Sequence, residues 1–328
     1  MSTVSVIMSV YNEERFIFDA INSILTQTFH DWEMVIIDDG SKDKTVDIIK
    51  TFNDGRIRLI QNEKNQGLVH NLNMGLSLVN SKYIARMDGD DICVPTRFSK
   101  QVEYLDKHQD VCLVGSQVKT FGDRKNVWRP NDNSELLRTG MLLRPVLAHP
   151  SIMIRNDVLK ENNLCYSNEY KSAQDYDFIN RVAECGKIGV VEEVLLNYRI
   201  HKTQVTSKGN AEQSNHADKI RDEIMKKLSV SLMETEFIIY KKWAMEHNRT
   251  TVNEYLEARN LIHKFLIANE KTKYYDEYVF QENLERLYIQ WIISSKTPSI
   301  YIRIPKLCKS IKKNRVLLLN EIIRRLKR

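Results

Sequence analysis

The sequence predicts an α/β fold, a sheet with helices on both faces, followed by a helical appendage. Three observations carry this. Short apolar runs alternate with amphipathic helical periods, acidic residues gather where those runs stop, and from about Ala211 Gly and Pro almost vanish. Strands alternating with helices imply a parallel sheet, whose ligands collect beyond the carboxyl ends of the strands. The expected division is 1–210 for the α/β domain, 211–298 for a helical domain and 299–328 for a basic tail.

Val4 to Val10 is a strand-like run, and Ile17, Ala20, Ile21, Ile24 and Leu25 trace one buried helical face. A second strand, Trp32 to Ile37, ends at Asp38-Asp39-Gly40-Ser41. Ser41 is a good N-cap, and Val46, Ile49 and Phe52 continue with helical period. Ile57 to Ile60 is a third strand, and Leu68, Leu72, Leu76 and Val79 mark the next helix. Tyr83 to Met87 alternates as a buried strand and runs into Asp88, Asp90 and Asp91. A helix with Phe98, Val102 and Leu105 leads to a strand at Val111 to Val114, and the polar stretch from Phe121 to Ser134 reads as a mobile loop. His149-Pro150-Ser151 introduces a short strand, Ile152 to Ile154, and Gln174 opens a helix with Phe178, Val182 and Cys185 on one side. Beyond Ala211 the amphipathic segments are Ile220 to Tyr240, Val252 to Ala268 and Tyr278 to Ile293, with Trp243, Tyr255, Tyr288 and Trp291 as core.

A chain of 328 residues has room for one large domain with an appendage, or for two domains. Its start lacks the basic and apolar regions of a signal peptide, and no apolar run reaches the roughly 18 residues that span a bilayer. Five scattered cysteines without a CxxC pair fit reduced, mostly core-filling thiols in a cytoplasmic protein. Of the net +6, residues 299–328 hold +9 (ten Lys or Arg against Glu321), so the rest of the chain is slightly acidic. Val316 to Leu319, Ile322, Ile323 and Leu326 give that tail an apolar set between cations. Such a helix suits an anionic membrane surface, and equally a solvated helix or a dimer contact; it lacks the interleaved aromatics of a nucleic-acid surface.

Asp88, Asp90 and Asp91 repel one another unless a cation sits among them, and their hard oxygens suit Mg²⁺ or Mn²⁺. A solvated acidic turn is the other reading. An EF-hand is excluded, because the twelfth position from Asp88 is Ser99 rather than Glu. No G-x-G-x-x-G follows the first strand and no P-loop occurs. Asp175 and Asp177, in the first turn of their helix, are also what the helix dipole favours.

Together these landmarks resemble the family-2 glycosyltransferases. Val4 to Asn12 is similar to the family's opening strand, Ser23 to Thr28 to its first helix and Val35 to Ser41 to its second strand. Asn65-Gln66-Gly67, Asn73 and Tyr83 to Asp91 match further blocks, Gln174 to Asp177 resembles the segment bearing the catalytic base, and Tyr198 to His201 a late motif. The resemblance spans roughly residues 3–205. It implies the GT-A fold, a Rossmann-like mixed sheet flanked by helices that binds nucleotide sugars.

The resemblance further implies that Val10, Tyr11, Asn12, Asp39, Gly67 and Asp88 bind the nucleotide sugar. Tyr11 would lie beside the base, and Asp39 would accept the imide N–H of uracil; capping of a helix is its other reading. Asp88 would hold the ribose or assist the metal, and Asp90 would bind the Mn²⁺ or Mg²⁺ that bridges the diphosphate. His201 is either a contact to that metal or to the diphosphate, or an ordinary packed histidine. Asp175 would be the general base of an inverting transfer. Two departures stand out: Gln174 replaces the Glu that often precedes the base, and the Q-x-x-R-W motif of processive members is absent. The implied partners are a UDP-sugar and a glycan or lipid-linked glycan acceptor, with self-association through the helical region. The rival reading is a non-catalytic interaction protein on the same fold.

Overall fold

The computed structural model describes residues 2–201, 211–245 and 251–294. The basic tail 299–328, Cys308 and the end of the expected helical domain lie outside the described residues. The chain divides into two compact units, Met1–Arg138 with Pro145–Ile220, and Thr139–Arg144 with Arg221–Arg328.

In the first unit β1 (Val4–Val10), α1 (Ile17–Leu25), β2 (Trp32–Asp38), α2 (Thr45–Lys50), β3 (Ile57–Gln61), α3 (Leu68–Leu78) and β4 (Tyr83–Asp88) alternate. The four strands are parallel, in the order β3-β2-β1-β4. One face packs Val4, Val6, Met8 and Val10 against Ile17, Ala20, Ile21 and Ile24 of α1. The other carries α3 against β1 and β2, while β4 is covered by the His149–Ser151 turn and is buried along its length. Ser41 is not the N-cap of α2: its Oγ accepts the N–H of Asn12 (2.9 Å), and the helix starts at Thr45, whose N–H goes to Asp43 (3.0 Å). An oxygen already committed to the neighbouring loop cannot also close a helix end.

The parallel expectation holds only this far. After β5 (Ile92–Cys93) and α4 (Arg97–Lys107) come β6 (Val111–Gly122) and β7 (Asn126–Trp128). Next are α5 (Ser134–Gly140), β8 (Met153–Arg155), α6 (Asn156–Glu161), α7 (Gln174–Val182) and β9 (Lys187–Ile200). β8 is antiparallel to both β4 and β6, and the sheet continues β8-β6-β9-β5, a mixed sheet as in GT-A folds. The stretch expected as a polar loop is a hairpin instead, with β7 antiparallel to β6. Backbone pairing needs no apolar pattern, so Thr120–Asn126 pairs as readily as an apolar pair would. Cys93 and Cys112 fill the core, but Cys165 and Cys185 are exposed, against the core-filling expectation.

The second unit holds α9 (Glu234–Met245), α10 (Val252–Thr272) and α11 (Glu277–Ser294), with α8 (Ala211–Lys227) crossing the division. The segment Ile220 to Tyr240 is therefore two helices. Ser229 takes a left-handed conformation (φ +56°), and the N–H groups of Ser229 and Val230 return to Lys226 and Met225 (both 2.9 Å), closing α8. A reciprocal pair starts α10: Thr251 Oγ1 accepts the N–H of Glu254 (3.3 Å), and Glu254 accepts that of Thr251 (2.7 Å). Trp243, Tyr255, Tyr288 and Trp291 are buried, and the Tyr288 hydroxyl donates to the carbonyl of Tyr255 (2.9 Å). No helix among the described residues is long and apolar enough to cross a membrane.

Candidate active site

β1 lies between β2 and β4 with Val10 opposite Asp38 and Ser9 opposite Asp88, so three strand ends open at one edge of the sheet. Tyr11 is exposed there. Asn12, in a left-handed conformation (φ +57°), ties the end of β1 to the loop after β2, its Oδ1 accepting the N–H of Lys42 (2.8 Å). The N–H of Asp39 goes to the carbonyl of Val10 (2.9 Å). The buried carboxylate of Asp39 accepts the N–H of Gln66 (2.8 Å), the N–H of Gly67 (2.9 Å) and Asn62 Nδ2 (3.0 Å). Burial raises its pKa, but these donors outweigh burial and hold it below the usual range. Gly67 has φ +89°, which a side chain would strain, and it stands immediately before α3. Asp39 thus secures the entry to α3, not the start of α2.

The acidic turn follows β4. One carboxylate oxygen from each of Asp88, Asp90 and Asp91 fits within 4.8 Å of the others. Asp90 Oδ2 lies 3.0 Å from His201 Nε2, and the His201 ring packs against Phe16. Asp91 is fully buried; its Oδ1 accepts the N–H of Arg199 (2.8 Å), while its Oδ2 has no partner. Arg199 also donates Nε to the carbonyl of Asp90 (2.7 Å), with its guanidinium held between Phe16 and Phe121. Burial, then the charge of Asp88, raises the pKa of Asp90 and raises that of Asp91 well above the carboxylate range. A buried carboxylate oxygen without a donor, crowded by two more acids, fits a hard divalent cation. His201 and the three aspartates could hold Mn²⁺ or Mg²⁺.

The sequence did not single out four residues that meet here. Glu13 packs onto Gly89, where an added Cβ would lie 2.8 Å from Val10 Cγ1 and 3.4 Å from Glu13 Cγ. Burial, then Asp90 and Asp88, pushes the Glu13 carboxyl up to about 8. Arg86, buried in β4, donates to Asp88 and to the carbonyl of Met87, with Nε unpartnered. Buried His149 shares a hydrogen bond with the Tyr166 hydroxyl (2.8 Å), and Tyr166 stacks on Phe178 of α7 at 4.0 Å. Asn73 clasps Tyr166 from α3, bonding its backbone N–H (2.8 Å) and carbonyl (2.9 Å). A buried Arg in a strand that ends in acids was the one available signal.

α7 separates its two acids. Asp177 is buried and bound by Arg181 through Nη2 (2.6 Å) and Nε (3.1 Å). Asp175 is half-buried and senses Asp88 and Arg86. Burial raises its pKa, although the backbone N–H of Tyr176 and the charge of Arg86 act the other way.

Residues 5–162 match the model of the family described as Glycosyl transferase family 2. The chain is 35% identical over 237 residues to an uncharacterized glycosyltransferase of Haemophilus influenzae, covering 67% of this chain and 72% of the relative. The chain belongs to glycosyltransferase family 2. This family-2 glycosyltransferase is also 32% identical to the O-antigen biosynthesis glycosyltransferase WbnJ of Escherichia coli, over 61% of this chain and 81% of the relative. Its fold matches TarS 1–349 of S. aureus in complex with UDP-GlcNAc (TM-score 0.61, 19% identity, 90% and 93% of the two chains). It also matches the mannosyltransferase PcManGT of Pyrobaculum calidifontis in complex with GDP-Man and Mn²⁺ (TM-score 0.56, 14% identity, 99% and 87%). The fold is GT-A with a helical appendage.

Proposed function

We propose that this glycosyltransferase is metal-dependent, inverting and non-processive. It moves one sugar from a UDP-sugar to a hydroxyl of a lipid-linked glycan in surface polysaccharide synthesis. The reading is carried by the buried, unpartnered Oδ2 of Asp91 inside the three-carboxylate cluster. Such an arrangement is stable when a cation offsets the repulsion. Two likenesses support the rest: the O-antigen relative WbnJ points to surface polysaccharide, and the UDP-GlcNAc complex of TarS to a UDP-sugar.

In this reading Tyr11 covers the base, Asp39 accepts the imide N–H of uracil, and Val10, Asn12 and Gly67 shape the wall. Asp88 meets the ribose, and Asp90 with His201 holds the metal. Bound Mn²⁺ or Mg²⁺ neutralises the charge that develops on the departing diphosphate. Asp175 takes the acceptor proton as the acceptor oxygen bonds to the anomeric carbon. The sugar's bond to the diphosphate breaks on the opposite face, and that electron pair leaves with UDP. One displacement inverts the anomeric centre. Tail residues 299–328 bring the enzyme to the inner face of the cytoplasmic membrane, which flotation of the full chain against one ending at Pro298 tests. The decisive measurement is UDP release from UDP-sugars with an acceptor extract, with and without chelator. Release unaffected by chelator rejects the metal, and no release rejects the donor.

A further inference from the structure

The β6–β7 hairpin touches the acidic turn through Phe121, whose ring lies against the Arg199 guanidinium, and its apex and β7 lie beyond that contact. Among the described residues Arg124, Lys125 and Arg129 are exposed and form no ion pair, and Trp128 on β7 is 38% exposed. The sheet fixes where this group stands. β6 runs parallel beside β9 with Phe121 opposite Arg199 and Gly122 opposite Ile200, and the N–H of Asp123 goes to the carbonyl of Ile200 (3.0 Å). The hairpin therefore rises beside Arg199 and His201, which hold the acidic turn. Because β9 occupies one edge of β6, β7 must pair with the other, the edge that carries β8 further back.

We infer that this hairpin is an acceptor-binding surface, and that the acceptor it takes is a saccharide bearing phosphate or carboxylate groups. The inference rests on the transferase reading above and adds the charge of the acceptor to it. An indole face offers a large flat apolar platform of the kind that covers the C–H face of a pyranose. Guanidinium forks match phosphate and carboxylate oxygens two at a time. Arg124 and Lys125 at the apex stand beside the end of β9 and attract an anion that the acidic turn alone repels, while Trp128 and Arg129 extend that surface back along β7. A membrane fits this hairpin less well. Its apex, Asp123-Arg124-Lys125, is charged, and Trp128 sits on the flank in a paired strand, so no apolar tip is presented for insertion.

The test uses intrinsic fluorescence of the full chain, since Trp32, Trp243 and Trp291 are buried and Trp128 is the exposed indole. The probes are a mannose oligosaccharide phosphate, trigalacturonate and neutral maltopentaose. An anionic saccharide should shift the emission and maltopentaose should not. In Arg124→Glu/Lys125→Glu, which keeps the indole, the apparent affinity should fall at least about tenfold. Trp128→Ala, followed by calorimetry, should weaken binding likewise. No response to either anionic saccharide, an unchanged affinity in the charge-reversed variant, or a response only to phosphatidylglycerol vesicles overturns the inference. UDP binding with Mn²⁺, measured on the same samples, shows separately whether the donor reading has failed.

Discussion

The imidazole of His201 meets the carboxylate of Asp90 at 3.0 Å, joining the last residue of the late motif to the middle of the acidic turn. If Asp90 binds the metal, His201 orients it or shares it. Asp90→Ala should then remove the metal dependence of UDP binding and weaken that binding at least about tenfold in Mn²⁺. His201→Phe preserves the packing on Phe16 and should weaken Mn²⁺ by about 10- to 100-fold, as loss of an orienting partner does. Calorimetry showing equal UDP affinity with Mn²⁺ and with chelator in the unaltered protein defeats both.

Asp39 holds the loop before α3 and, in the proposed reading, meets the uracil; its variants separate the two. Asp39→Ala should reduce the preference for UDP over GDP while leaving the metal effect intact. It should also lower the melting temperature, because the N–H groups of Gln66 and Gly67 lose their acceptor, at about 1–3 kcal/mol for such a group. A variant that melts early but keeps its UDP preference confines Asp39 to holding the loop.

Glu13 makes the metal-free protein sensitive to pH. Its folded pKa stands near 8 against 4.5 for an ordinary glutamate, so between those values the folded chain keeps a proton that the unfolded chain releases. The unfolded state then binds fewer protons, and stability falls as pH rises through that window. Glu13→Gln should flatten the decline in melting temperature, and Mn²⁺ should reduce it in the unaltered protein. Identical slopes in the two proteins exclude Glu13 as the source.

The parallel half of the fold is legible because its strands are apolar runs and its helices keep a clear stripe. Beyond Val111 the apolar starts of β6 and β8 still read as strands, but the rest loses that pattern. β7 pairs through its backbone with polar side chains, and the fourteen residues of β9 keep no single burial rhythm. In the site, acids crowded at a strand end announce themselves. Glu13, Arg86, His149 and Tyr166 do not, because each is one residue of an ordinary type whose meaning comes from what the fold brings beside it. The hairpin hides for the same reason: Arg124 and Lys125 read as loop charges until β6 and β9 bring the apex to the end of β9.

Asp175 and Asp177 can be told apart by what each loses. Asp177 is bound by Arg181 and buried, so Asp177→Asn should cost roughly 1–3 kcal/mol of stability while the chemistry continues. Asp175 senses Asp88 and Arg86 and has no ion pair among the described residues. Asp175→Asn keeps its shape and removes the base, so transfer should fall about 10²–10⁴-fold while UDP with Mn²⁺ binds as before and the melting temperature holds. The pH profile supplies an independent check. A base acts only when ionised, and burial raises the pKa of Asp175, so the acid limb of kcat should lie above the ~3.9 of a free aspartate. Removing Arg86 deletes a charge that lowers that pKa, and Arg86→Met should move the limb to higher pH. If Asp177→Asn abolishes transfer and Asp175→Asn spares it, the base is Asp177 and Arg181 is its partner in catalysis.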